Sequence, residues 1–374
     1  MTDSIRKVAA CVAGLLFLLL TGCNDKLNLE DSTVPLGLGL DIVDDKLHFY
    51  VSAPVFSKEA KKKSSEAEGA VRGLRESRSL LDAQLPGAVA SRNYQVIMIG
   101  KEMLRHDGWF IMLDAFFRDP RNTTTVRMIA VDGPVSEYIY TKTKDRPMDG
   151  FFLRGLVDTS SRMAETVKTT LQELHRQLDD KAMTPAIAEV KIKNGKIMLK
   201  GTALLSQKGR YETSLNYQET ALLQLLRRDA RAGVSLSYPF PGVSKTGLFD
   251  TEYVSFSLGA HSVKIRPSYE NGRFRFKIKV KSVIVVTEKL FEYDLWKKHK
   301  EFADKLEEPM KAQIEELLAK CRQHKIDPVG FGLYARAYEY SHYKEVQDRW
   351  GDEFSRADFD VSVDLRIASP GAVQ

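Results

Sequence analysis

Cysteine is scarce in this chain, with three among 374 residues, at Cys11, Cys23 and Cys321. No CxxC pair is present. The seven histidines are scattered at positions 48, 106, 175, 261, 299, 324 and 342, without an HExxH pair or any close His–carboxylate spacing. A G-x-S-x-G elbow and a Walker-type phosphate loop are missing too. No local signature therefore announces metal, nucleophilic or nucleotide chemistry. The chain reads as non-enzymatic and without a cofactor. Charge is not concentrated either: the net +6 of the whole chain is mild, and far from the basic character that nucleic-acid binding demands. After the N-terminal segment no apolar run nears the length of about 18 residues that a membrane-crossing helix needs.

What is present starts at the N-terminus. Arg6 and Lys7 precede an unbroken apolar stretch from Val8 to Leu20, 13 residues long. That is short for a bilayer span of roughly 20 residues but suits the apolar part of a secretory signal, about 7–15 residues. The stretch ends on Leu20-Thr21-Gly22-Cys23, which resembles a bacterial lipobox, and turns polar at once with Asn24-Asp25. In lipobox chemistry the Cys23 thiol takes a diacylglycerol, the signal is cut before it, and the new amine is open to acylation. Two or more acyl chains, at ~0.8 kcal/mol per buried methylene, hold a protein stably on a membrane. The alternative is an inert cysteine in a plain signal or a buried helix. With Cys11 removed and Cys23 lipidated, Cys321 stands alone. No intramolecular disulfide is then available, and its place on the apolar face of a helix suits a buried structural thiol.

The rest of the chain divides by texture. Pro35–Val43 and Leu47–Val51 read as a hairpin around Asp44-Asp45-Lys46. The Gly37-x-Gly39 pair within it lacks the third glycine and following helix of a nucleotide fingerprint, so close backbone approach is the better account. Ser57–Glu68 reads as a charged loop, Ala67–Leu85 as a helix, Tyr94–Gly100 as a strand, Lys101–Arg118 as a helix and Thr123–Val131 as a strand. Thr159–Asp179 has Met163, Val167, Leu171 and Leu174 at helical spacing. Further on, Ala188–Lys193 and Lys196–Leu205 flank an Asn194-Gly195 turn, and Tyr217–Asp229 is helical. Strands follow at Val234–Tyr238, Val254–Leu258, Ser262–Pro267 and Arg273–Val286. A long helix, Leu295–Lys325, is expected to kink at Pro309, and Phe359–Ile367 closes the chain as a strand. The expected fold is α+β: an elongated protein of about three small mixed domains, with largely antiparallel sheets and a long helix in the C-terminal domain. The expected divisions are a signal peptide at 1–22, an N-terminal domain at 23–184, a small middle domain at 185–232 and a C-terminal domain at 233–374.

One local pattern stands out. In Arg273-Phe-Arg-Phe-Lys-Ile-Lys-Val-Lys281, strand geometry sends Arg273, Arg275, Lys277, Lys279 and Lys281 to one side and the apolar residues to the other. It is either the solvated face of a half-buried sheet or a cationic stripe for lipid headgroups or an acidic partner.

Several segments together resemble a known family. The lipobox, "GLGLD" at Gly37–Asp41, "YQVIMIGKE" at Tyr94–Glu102 and "FFRDPR" at Phe116–Arg121 come first. "KCRQHKIDPVGFG" at Lys320–Gly332 and "VQDRWGDEFSRADFDVSVDLRI" at Val346–Ile367 follow, in order and spacing similar to the Ger(x)C family, the C-subunits of spore germinant receptors. Family members often carry Trp-Asp after the lipidated cysteine, where this chain has Asn24-Asp25. Arg146–Asp180 and Thr202–Ser244 fit loosely. The resemblance implies a lipid tether at Cys23 and a place on the outer face of the spore inner membrane. It further implies work with two integral membrane subunits in sensing nutrients, and no catalysis. Gly330, Phe331, Gly332 and Trp350 would mark the last domain. The alternative is a solute-binding lipoprotein serving a membrane transporter.

Overall fold

The computed structural model describes residues 5, 32–56, 60–85, 87–89, 93–120, 122–141 and 149–368. Leu20, Thr21, Gly22 and Cys23 lie outside them. In chain order the strands are β1 (Ser32–Thr33), β2 (Gly37–Val43), β3 (Lys46–Pro54), β4 (Ser64–Val71), β5 (Ala88–Val89), β6 (Val96–Gly100), β7 (Arg127–Val131), β8 (Ala186–Lys193), β9 (Lys196–Leu205), β10 (Tyr211–Leu215), β11 (Val234–Pro239), β12 (Tyr253–Glu270), β13 (Arg273–Lys289) and β14 (Asp358–Ile367). The helices are α1 (Ser77–Gln84), α2 (Asp114–Arg118), α3 (Val135–Tyr140), α4 (Asp149–Arg162), α5 (Leu171–Asp179), α6 (Tyr217–Arg227), α7 (Leu295–Gln323), α8 (Phe331–Tyr338), α9 (Tyr340–Val346) and α10 (Trp350–Ser355).

The larger sheet has eight strands in the order β10-β9-β8-β7-β6-β2-β3-β4. Its centre, β2-β6-β7-β8, is parallel, and antiparallel hairpins extend it on both sides. The central strands VIMIG and RMIAV are buried at every position, as parallel strands covered on both faces must be. Alternate residues feed separate cores. Ile97 and Ile99 join Trp109, Leu113, Leu171 and Leu174 on one face, while Val96 and Met98 join Val135, Ile139, Leu153 and Val157 on the other.

The second sheet has four strands, β11-β12-β13-β14, antiparallel except for the parallel β13–β14 pair. Its inner face presents Phe274, Phe276, Ile278 and Val280 to a core that includes Phe302, Leu306, Met310, Ile314 and Leu317 of α7. The overall architecture is α+β, with a long helix in the C-terminal half, as expected.

Several local expectations are corrected. Ser64–Val71 is a strand rather than the tail of a loop and the start of a helix. It buries Ala67 and Val71 and pairs along β3 from Leu47↔Val71 to Pro54↔Ser64, so ladder formation overrides the helix preference of its Glu and Ala residues. The Lys101–Arg118 helix breaks into 3-10 turns at Met103–Arg105 and Trp109–Leu113 before α2, because Gly108 sits between them with φ +75°. The Thr159–Asp179 helix is likewise divided. α4 ends at Arg162, Met163 is exposed, the chain turns at 163–166 with Ala164 at φ +58°, and a short run leads to Thr170, whose side chain accepts the Glu173 N–H and starts α5. The two strands expected at 254–267 are one, β12, with a register shift between Leu258 and His261. In α7 the departure from helical geometry falls at Lys298 (φ −121°, ψ 24°). Dihedrals stay helical through Pro309, where the buried Leu306–Met310–Ile314 stripe seated on the sheet holds the axis.

Residues 185–232, expected as a separate middle domain, have no sheet of their own. β8 is hydrogen-bonded to β7, so β8, β9 and β10 continue the N-terminal sheet.

Candidate functional site: the Asp327 clasp and a cationic sheet face

The segment Asp327-Pro-Val-Gly-Phe-Gly332 lies between α7 and α8. The Asp327 carboxylate is wholly buried and accepts three N–H groups: Gly330 at 2.8 Å, Gly332 at 2.8 Å and the Trp350 indole at 2.9 Å. Burial pushes its carboxyl above the usual range, and these donors pull against that shift. Gly330 starts α8 with φ +88°, a left-handed conformation that favours glycine. Gly332 is needed for space: a Cβ there would lie 2.5 Å from the Ala182 carbonyl oxygen. Trp350 stands edge-on to Phe274 at 5.3 Å, and Phe331 packs on Phe276 at 4.9 Å.

This motif also joins the two halves of the chain. The Asp327 carbonyl accepts the Thr184 N–H at 2.9 Å, and Arg336 grips Asp180 through both carboxylate oxygens, at 2.9 and 3.2 Å. Gly330, Phe331, Gly332 and Trp350 thus gather around one carboxylate in a clasp between α8 and the 180–184 segment. Asp327 is the residue that sequence reasoning quoted without singling out. Its D-x-x-G spacing, suited to a side chain that caps the turn after it, was the available signal.

The "GLGLD" strand has a similar explanation. A Cβ on Gly39 would meet the Val135 side chain at 2.2 Å, so a side chain, rather than the expected backbone, makes the close approach. Asp41 accepts the Val135 N–H at 3.0 Å.

At the carboxyl ends of β6 and β7, Asp132 bridges Lys101 (2.7 Å) and Lys200 (2.9 Å), and Lys200 reaches the buried Glu189 at 3.0 Å. Burial raises the Asp132 carboxyl, but hydrogen bonds from the two lysines outweigh it and hold the group below its ordinary value. Two cations here face two carboxylates, leaving no charge to spare for a substrate. Among the described residues no group of three or more His, Cys, Asp or Glu is arranged to hold a metal ion. Cys321 is buried and its thiol is pushed up by that burial, the state of a packed rather than a reactive sulfur.

The five predicted cations do share one face. Arg273, Arg275, Lys277, Lys279 and Lys281 are all exposed on β13, alternating with buried neighbours. Parallel pairing sets β14 carboxylates beside some of them: Lys281 meets Asp364 at 2.8 Å, Lys277 meets Asp360 at 3.8 Å and Arg273 meets Asp358 at 3.8 Å. Arg275 pairs with Glu270 at 3.8 Å. On the other side, β12 places Lys264 opposite Lys279 and Arg266 opposite Lys277. Like charges directly opposite one another destabilise a sheet. Lys264, Arg266 and Lys279 form no ion pair among the described residues. The centre of the face is therefore a cationic patch flanked by neutralised edges. No helix among the described residues is long and apolar enough to cross a membrane.

Comparison with known proteins agrees across both halves. Residues 25–192 match the family described as "Spore germination protein N-terminal domain", and residues 200–371 match "Spore germination B3/GerAC like, C-terminal". Spore germination protein B3 of Bacillus subtilis (strain 168) is 21% identical over 98% of this chain and 99% of its own. Spore germination protein A3 of the same organism is 21% identical over 70% of this chain and 69% of its own. The crystal structure of the GerBC protein superposes with a TM-score of 0.59 at 17% identity, covering 92% of this chain and 100% of that one.

Proposed function

The chain belongs to the spore germination B3/GerAC-like family, and from that membership we propose that it is the lipoprotein C-subunit of a nutrient germinant receptor. Acylated Cys23 anchors it to the outer face of the spore inner membrane. There it assembles with two integral membrane subunits and passes the signal for germination by conformational coupling, without catalysis of its own. The observation that carries this reading is the match of both family domains, in order, over residues 25–192 and 200–371.

The geometry of tethering is compatible. Asn24 to Asp31 separate Cys23 from β1, and such a stretch reaches about 30 Å when extended, so the folded body stays near the headgroups. The cationic centre of the C-terminal sheet, Lys264, Arg266 and Lys279 with the ion-paired Lys277 beside them, faces anionic lipid. Clustered Lys and Arg near such a surface gain about 1 kcal/mol each, which offsets the like-charge pairs that weaken the sheet.

An affinity pull-down from gently crosslinked spore inner membranes tests the reading, with the natural chain beside Cys23→Ala. The natural chain is expected to carry acyl groups and bring down two multispanning subunits, and Cys23→Ala to lose both. Recovery of a transporter ATPase, or of no membrane protein, would overturn the receptor assignment in favour of a solute-binding lipoprotein.

A further inference from the structure

A cavity of about 290 Å³ opens where the end of α4, the 163–170 linker, the start of α5 and the end of α6 meet. Four cations line it, Arg162, Lys168, Arg227 and Arg231, against two carboxylates, Glu173 and Asp229. Glu173 is already engaged, accepting from Arg176 at 2.7 and 2.9 Å and from Gln177 at 2.8 Å. Lys168 and Arg231 form no hydrogen bond or ion pair among the described residues.

Arg227 is the unusual member. Its Nε donates to the Pro328 carbonyl at 2.6 Å, while its Nη2 is enclosed without any partner. Burial pushes its guanidinium down, and the more distant Asp229, Glu173 and Asp327 only partly offset that. Asp327 acts on it only from a distance, its oxygens being engaged by Gly330, Gly332 and Trp350. A half-buried guanidinium with one carbonyl partner and no carboxylate in contact leaves uncompensated positive charge at the cavity wall. The neighbouring polar side chains are also occupied: Thr169 donates to the Ala186 carbonyl and Gln224 to the Thr166 carbonyl, both at 2.5 Å. What the cavity offers an incoming group is therefore positive charge.

We infer that this cavity binds the oxyanion of a soluble small molecule, a carboxylate or a phosphate, with Arg227 as its anchor and Arg162, Lys168 and Arg231 around it. Guanidinium groups suit both anions, because their planar fork matches paired oxygens. Glu173 is held by Arg176 and only Asp229 is left to set against the four cations, so the lining is net positive and suits an anion. A bound anion would bridge α4 and α5, which cover the first sheet, to α6 and Pro328, next to the Asp327 clasp. The inference does not rest on the receptor reading, and its failure would leave that reading untouched.

The experiment titrates the full chain in detergent with inorganic phosphate, acetate and succinate at constant ionic strength, by calorimetry and by thermal unfolding. Saturable binding of at least one is expected, with a rise in melting temperature that saturates alongside it. Saturation by phosphate alone assigns a phosphate group, and saturation by the carboxylates alone assigns a carboxylate. Arg227→Gln should abolish binding, and Lys168→Gln with Arg231→Gln should weaken it at least tenfold. Lys277→Glu with Lys279→Glu, on the remote sheet face, should leave it unchanged. If Arg227→Gln fails to fold, the Lys168 and Arg231 pair decides the matter. No saturable binding, binding indifferent to the Lys168 and Arg231 changes, or binding lost equally with the sheet-face pair would each overturn the inference.

Discussion

The two sheets of this molecule are built on opposite plans. The eight-stranded sheet is sealed, with separate cores on its two faces and its charges cancelled within the Lys101–Asp132–Lys200–Glu189 network. The four-stranded sheet is covered on one face only and carries a row of exposed cations on the other, paired with carboxylates at the edges and uncompensated at the centre. The contrast is written in the strands themselves. VIMIG at 96–100 has no polar side to show, whereas RFRFKIKVK at 273–281 is polar at every second residue. A sealed sheet can act as a scaffold, while a half-covered one can both fold and present a surface.

The sharpest way to break the comparison lies within β13 itself. Phe276→Ala removes a wholly buried ring from the inner face and should cost about 3–5 kcal/mol in denaturant unfolding. Asp327→Asn comes next. The amide cannot accept from Gly330, Gly332 and Trp350 together, and stranding a buried donor costs about 1–3 kcal/mol. Because the clasp joins the halves, the variant should also split one unfolding transition into two, visible by calorimetry.

A pH titration separates the sheets by a smaller effect. Asp132 is held below its ordinary value near 3.8, so its contribution is fully present above that pH. It is lost as pH falls from there through the lowered folded value. Acid unfolding of the natural chain should therefore steepen below about pH 4, and Asp132→Asn should remove that part of the slope. Smallest of all for stability is the double change Lys277→Glu and Lys279→Glu. Both side chains point to solvent, so the melting curve should stay within about 0.5 kcal/mol of the natural chain, while attraction to anionic vesicles should fall sharply.

Much of this plan was legible in the residues. The hairpin at Lys193–Lys196, the strand Lys196–Leu205, the alternation of β13 and the closing strand all follow from period-two patterning and Asn-Gly turns. The cationic face followed with them, because alternation alone decides which side a residue takes. Features set by distant partners were not legible. β4 carries helix-favouring residues and becomes a strand through β3, and the continuity of β8 with β7 depends on residues nearly sixty positions apart. Parallel pairing of β13 with β14, which brings Asp358, Asp360 and Asp364 beside the cations, crosses a still longer gap. Arg227 reads in the sequence as an ordinary arginine near a helix end, and only the fold encloses its Nη2 and sets it beside three other cations.

The measurement that reaches the central claim most directly is lysine footprinting of the full chain on vesicles, with an amine-reactive reagent read residue by residue. On anionic vesicles Lys264, Lys277 and Lys279 should be protected relative to neutral ones, while the exposed Lys208 near the first sheet should label equally on both. Equal labelling of Lys264, Lys277 and Lys279 on the two lipids would contradict the claim that the half-covered sheet presents its cationic face to the membrane.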